Sequence, residues 1–133
     1  MYAVEVSDQI MIAHSFRGEL FGPAQNVHGA TLVIRVAFLA DELDAHGIVV
    51  DIARAQALLK DALGPLNYRN LDELPQFKGV NTTTEFLTRH LFEHFAAAAR
   101  AGELGRDSRE LTSIRVTVAE SPTARAWYEA PLW

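Results

Sequence analysis

Ala30-Thr31-Leu32-Val33-Ile34-Arg35-Val36-Ala37-Phe38-Leu39-Ala40 alternates from end to end. Leu32, Ile34, Val36 and Phe38 fall on one face, and Thr31, Val33, Arg35 and Ala37 on the other. That is the period of a β-strand with one face against a core. Upstream, Tyr2 to Ala13 alternates weakly, ends in the apolar run Ile10-Met11-Ile12-Ala13 and reads as a partner strand. Between the two lies a loop, Ser15 to Gly29, marked by glycines and Pro23. Downstream, Asp51 is placed to cap a helix through Leu63. Ile52, Ala55, Leu59 and Leu63 recur at helical spacing, and Gly64-Pro65 stops it. A turn-rich loop, 65–81, follows. Thr82-x-x-Glu85 then has the form of a capping box, opening a helix with a Leu87, Leu91, Phe95 stripe that runs to about Ala99. Leu111 to Glu120 alternates, with Ile114, Val116 and Val118 on one face, and Ala124 to Leu132 reads as a last strand.

The order is strand, strand, helix, helix, strand, strand. It predicts an α+β fold: a four-stranded antiparallel sheet with two helices on one face, in a single domain spanning 1–133. Both edges and the second face of such a sheet stay open. Val33, Ala37 and Leu39 would be exposed there in a monomer, so association is expected.

Composition narrows the functions. The chain has 133 residues, a formal net charge of −5 and no cysteine. An acidic chain without a stripe of Lys and Arg is not built for nucleic acid. Without cysteine there is no thiolate metal ligand and no thiol nucleophile. No apolar run approaches the roughly 18 residues of a membrane span. The first residues do not read as a signal peptide, so a cytoplasmic protein is expected. His90 and His94 stand four apart on the second helix, a spacing that can chelate a metal, but no Glu-x-x-His signature surrounds them. They read as a solvated flank of the apolar stripe.

Six segments in order resemble the family of 6-pyruvoyl-tetrahydropterin and 6-carboxytetrahydropterin synthases. They are Ile12-Ala13-His14-Ser15-Phe16, Val27-His28-Gly29, Gly47-Ile48-Val49-Val50-Asp51, Leu66-Asn67-Tyr68-Arg69-Asn70-Leu71-Asp72, Asn81-Thr82-Thr83-Thr84-Glu85 and Val116-Thr117-Val118-Ala119-Glu120-Ser121. The resemblance implies the T-fold, whose subunits pair sheet edge to sheet edge. Trimers close a barrel, two trimers stack into a hexamer, and the ligand pocket lies between subunits. It implies a zinc ion on three histidines, of which His14 and His28 match two while Ala30 stands at the third. It also implies a catalytic triad, at whose Cys, Asp and His positions stand Ala24, Asn67 and Tyr68. Alanine and asparagine cannot ionise, and a phenol with a pKa of about 10 is a poor base near neutrality. Glu19, the nearest upstream acid, lies nine residues before His28 instead of the four that relatives with Glu for Cys require.

What survives is the pterin anchor. Glu120 matches the carboxylate that pairs with the ring amide and exocyclic amine, Thr83 and Thr84 match threonines lining the ring, and Glu85 follows them. His14 and His28 are counted with these as pocket residues. Zinc is not expected, nor any other cofactor. The reading is a pterin- or purine-binding homo-oligomer without synthase activity. Two alternatives stand beside it: a working lyase of the family with an unrecognised metal ligand, and a structural subunit that binds no small molecule.

Overall fold

The computed structural model describes residues 1–133. Strands β1 (Tyr2–His14) and β2 (His28–Ala40) run antiparallel in unbroken register from Tyr2↔Ala40 to His14↔His28. Both strands are longer than the sequence indicates. Pairing carries β1 through His14, and β2 begins at His28, two residues inside the expected loop. That loop holds a 3₁₀ turn, Glu19–Gln25. Helix α1 (Ile52–Leu63) is capped by Asp51, whose carboxylate accepts from Arg54 N–H. Its inward face is Ala55, Leu59, Ala62 and Leu63. Ile52, at the right spacing but in the first turn, overhangs the core and stays 52% exposed.

The expected loop 65–81 contains a two-residue strand, β3 (Arg69–Asn70), parallel to β1 at Ile12 and Ala13. The sheet is therefore five-stranded and mixed, in the order β3-β1-β2-β4-β5, instead of four-stranded and antiparallel. Helix α2 (Thr84–Arg100) presents Leu87, Leu91, Phe92 and Phe95 inward. Strands β4 (Ser113–Ser121) and β5 (Ala124–Ala130) form the last hairpin. Ile114, Val116 and Val118 join Leu32, Ile34, Val36 and Phe38 in the buried layer under the helices. Each such side chain contributes about 1.5–3 kcal/mol of burial. No helix is long and apolar enough to cross a membrane.

The helix-free face is less apolar and less open than expected. Ala37 is only 8% exposed, flanked across the ladder by Glu5 and Arg115, and Val33 and Leu39 are half-buried. The capping box is displaced. Thr83, not Thr82, caps α2, its hydroxyl oxygen accepting from Phe86 N–H at 3.1 Å. His90 is no solvated flank either. Its ring centroid lies 4.9 Å from Phe77 and 6.2 Å from Phe86, and burial, then the neighbouring His94, lowers its pKa. His94 is exposed.

Candidate functional site

The sheet end where β1 finishes and β2 begins collects the histidines. His14 and His28 are register partners, and their rings meet edge to face at 4.6 Å between centroids. Phe16 completes the cluster, 4.5 Å from His14 and 5.6 Å from His28. His14 is 4% exposed because the segment leading into α2 closes over it. Thr82, with no exposed surface, places Oγ1 3.1 Å from His14 Nδ1. Burial, then the adjacent His28, lowers the His14 pKa. The hydrogen bond to Thr82 and the charge of Asp72 oppose that shift. His28 Nδ1 lies 2.8 Å from the Asn26 carbonyl. A carbonyl only accepts, so His28 Nδ1 is the donor of this bond. Asp72 accepts from Ser15 Oγ at 2.6 Å. Ala30, two residues along β2 on the same face as His28, packs a methyl group against the core. No third His, Cys, Asp or Glu joins the two histidines in a group able to hold a metal ion.

The positions matching the triad serve the scaffold. Ala24 accepts from Phe16 N–H through its carbonyl at 3.0 Å. Asn67 Oδ1 accepts from Met11 N–H at 3.0 Å, and Tyr68 N–H donates to Met11 O at 2.7 Å. This pair of bonds caps the edge of β1. Tyr68 sits at φ 59°, the one non-glycine residue at positive φ, with its side chain 79% exposed.

Glu120 occupies the irregularity in β4 between Ala119 and Ser121. It lines a groove of about 480 Å³ with Thr31, Arg35, Ser121 and Arg125 among its walls. The chain's three ion pairs, Arg89–Glu93, Arg106–Glu110 and Arg115–Glu129, leave Glu120, Arg35 and Arg125 without an ionic partner. The remaining expected residues lie elsewhere within one chain. Thr83 caps α2, Thr84 donates to Glu85 Oε1 at 2.8 Å, and Glu85 lines a separate hollow with Phe86, Arg89, His90, Glu93 and Tyr128. The structure thus joins His14 to His28, but brings neither them nor Thr83–Glu85 into the Glu120 groove.

Sequence reasoning missed Thr82 as the partner of His14, and Arg35 and Arg125 as neighbours of Glu120. The capping-box pattern engages the Thr82 hydroxyl locally, and nothing in the sequence signals a partner as distant as His14. Arg125 follows from cross-strand register, since it pairs with Ala119, and Ala119 pairs with Val33, two residues from Arg35.

Four long antiparallel strands, with both helices between the hairpins and packed on one face, make this an α+β protein of the T-fold class. The model of the 6-pyruvoyl tetrahydropterin synthase family matches residues 3–131, and the chain belongs to that family. It is similar to 6-pyruvoyl tetrahydropterin synthase of Caenorhabditis elegans, at 26% identity and a TM-score of 0.80 over 97% of this chain and 95% of that one. The enzyme of Plasmodium falciparum shares the fold at 16% identity, with a TM-score of 0.76 over 97% and 98% of the two chains. The uncharacterized protein WS1659 of Wolinella succinogenes does so at 18% identity, with a TM-score of 0.67 over 96% and 97%. No curated protein matches the chain.

Proposed function

We propose that this protein binds a pterin, or a purine-like heterocycle with the same donor–donor edge, through Glu120, without zinc and without the synthase reaction. One observation carries the reading. Glu120 is a carboxylate with no internal ionic partner, set in a groove large enough for a bicyclic ring. Two adjacent N–H donors on a planar edge match its two oxygens, and such charge-assisted pairs are stronger than neutral ones.

The donor set at His14 and His28 does not fit a three-histidine zinc site. A catalytic zinc takes three protein ligands and keeps one position open. Here the third position is the methyl group of Ala30, and the nearest acid, Asp72, is engaged by Ser15. No step is therefore routed through a metal. A proton-transfer group is also wanting at Ala24 and Asn67, while His14 is held by Thr82 in a buried corner. The working form is a homo-oligomer, a hexamer of two stacked trimers, in which the open strand edges are covered.

Saturable quenching of pterin fluorescence tests the binding. Glu120→Gln turns one acceptor into a donor facing a donor. It should weaken binding about tenfold to 150-fold, the equivalent of losing a charged hydrogen bond of 1.5–3 kcal/mol. Absence of saturation in the wild-type oligomer rejects the ligand. Stoichiometric zinc by elemental analysis, together with turnover of dihydroneopterin triphosphate, would establish the lyase instead. Light scattering measures the oligomer.

A further inference from the structure

The Glu120 groove is floored by a register pair. Val33 of β2 faces Ala119 of β4, and both line the groove. Their side chains are apolar, so the floor offers a flat ring contact but no hydrogen bond. Three charged groups stand around it. Glu120 follows Ala119 in the chain. Arg125 is the register partner of Ala119 on β5. Arg35 lies two residues beyond Val33, on the same face of β2. Because β2 and β4 are antiparallel, Glu120 and Arg35 close the two ends of the floor along the strands, and Arg125 closes one side. Glu120 pairs with neither arginine, although all three line one groove.

A carboxylate at one end and a guanidinium at the side match two neighbouring edges of one kind of heterocycle. A pterin held on Glu120 by its ring amide and exocyclic amine turns its next edge sideways. That edge carries the C4 carbonyl oxygen and N5, and both are acceptors while N5 keeps its lone pair. Guanine presents the same succession, N1–H and the amine on one edge, O6 and N7 on the next. The planar fork of arginine donors fits two such acceptors, as it does when arginine reads guanine. Arg35, opposite Glu120, stands where a pterin has only the ring carbons C6 and C7.

We propose that Arg125 is the second reading residue of the groove, and that the ligand is a heterocycle with two acceptors next to its donor–donor edge: a pterin not reduced at N5, or a guanine base. A tetrahydropterin carries N–H at that position, a donor facing a donor, and is rejected. The inference rests on the pterin reading above and narrows it to one state of the ring. Arg125 orients the ring and transfers no proton.

Titration calorimetry on the full-length protein tests this with two probes, 6-methylpterin and 6-methyl-5-deazapterin. The second is equally flat and has the same donor–donor edge, but carries C–H in place of N5. Wild type should bind 6-methylpterin about 5- to 150-fold more tightly, the range for one bidentate arginine contact. In Arg125→Met the preference should shrink to within about threefold, chiefly through weaker binding of 6-methylpterin. Arg35→Met should keep it. Equal affinity of the wild type for the two probes overturns the proposal. So does a preference that survives in Arg125→Met or vanishes in Arg35→Met. The wild-type comparison needs no variant, so it decides even where a variant fails to fold. All these results leave the pterin reading in place provided the wild type binds 6-methylpterin and Glu120→Gln weakens that binding. A wild type that binds neither probe removes both.

Discussion

Thr82→Val tests how the histidine corner is held. The two side chains have nearly the same shape, so the change removes a hydroxyl without opening a cavity. Thr82 has no exposed surface and His14 is 4% exposed, so water cannot replace the lost partner at His14 Nδ1, 3.1 Å away. An unsatisfied buried polar group costs about 1–3 kcal/mol. For a chain of this length each kcal/mol shifts the midpoint by roughly 4 °C, so a fall of roughly 4–12 °C is expected. Thermal unfolding at a fixed chain concentration is the assay, because any assembly would raise apparent stability by mass action. The double variant Thr82→Val/His14→Phe should recover much of the loss. It removes both polar partners, and its new ring joins Phe16, already 4.5 Å from the His14 ring. A Thr82→Val protein within roughly 0.3 kcal/mol of wild type, or a double variant as unstable as the two single losses added, would refute the reasoning.

Three further outcomes are expected. His14 and His90 both have pKa values lowered from 6.5, chiefly by burial. The unfolded chain then binds more protons than the folded one just below that pH, so stability should fall as pH drops through 6.5 and be regained above it; a denaturant midpoint that rises on acidification from pH 7 to 5 contradicts this. Ala30→His adds an imidazole on the His28 face of β2 and should raise bound zinc, measured by elemental analysis, from below stoichiometric towards one ion per chain; unchanged zinc content would place the corner outside metal geometry. Tyr68→Gly relieves the left-handed backbone and should leave stability equal or higher by up to about 1 kcal/mol; a destabilised protein would show that the tyrosine ring serves the fold.

What was legible follows from the range of the interaction involved. The period of two in β2 and the 3.6-residue spacing in α1 and α2 are local patterns imposed by one buried face, and they placed the main layers. β3 carries no pattern, because Arg69 and Asn70 are paired only after Asn67 and Tyr68 have docked on Met11. Local chemistry alone assigns the cap of α2 to Thr82, through the Thr82-x-x-Glu85 pattern. A contact 68 residues away, His14, captures Thr82 and hands the cap to Thr83. The burial of His90 likewise comes from Phe77, in a 3₁₀ turn outside its helix. Glu120 itself is legible, but Arg35 and Arg125 beside it are not, since they reach the groove by cross-strand register and not by sequence spacing.

The distribution of satisfied and unsatisfied groups separates scaffold from site. Asn67 and Thr82 each spend a side-chain oxygen inside the fold, on Met11 and His14, and a polar group with a partner is what stability alone requires. Glu120 and Arg125 are exposed, and with Arg35 they stand outside the chain's three ion pairs, as do most of its 17 acidic and 12 basic residues. Arg35 is half-buried in that state, a position at which a neutral side chain would fit the sheet with less desolvation. Tyr68 adds a strained backbone and an exposed ring. Local rules are broken where function outweighs stability. In the histidine corner, by contrast, His14 Nδ1 and the buried Thr82 hydroxyl are each other's partners within the fold.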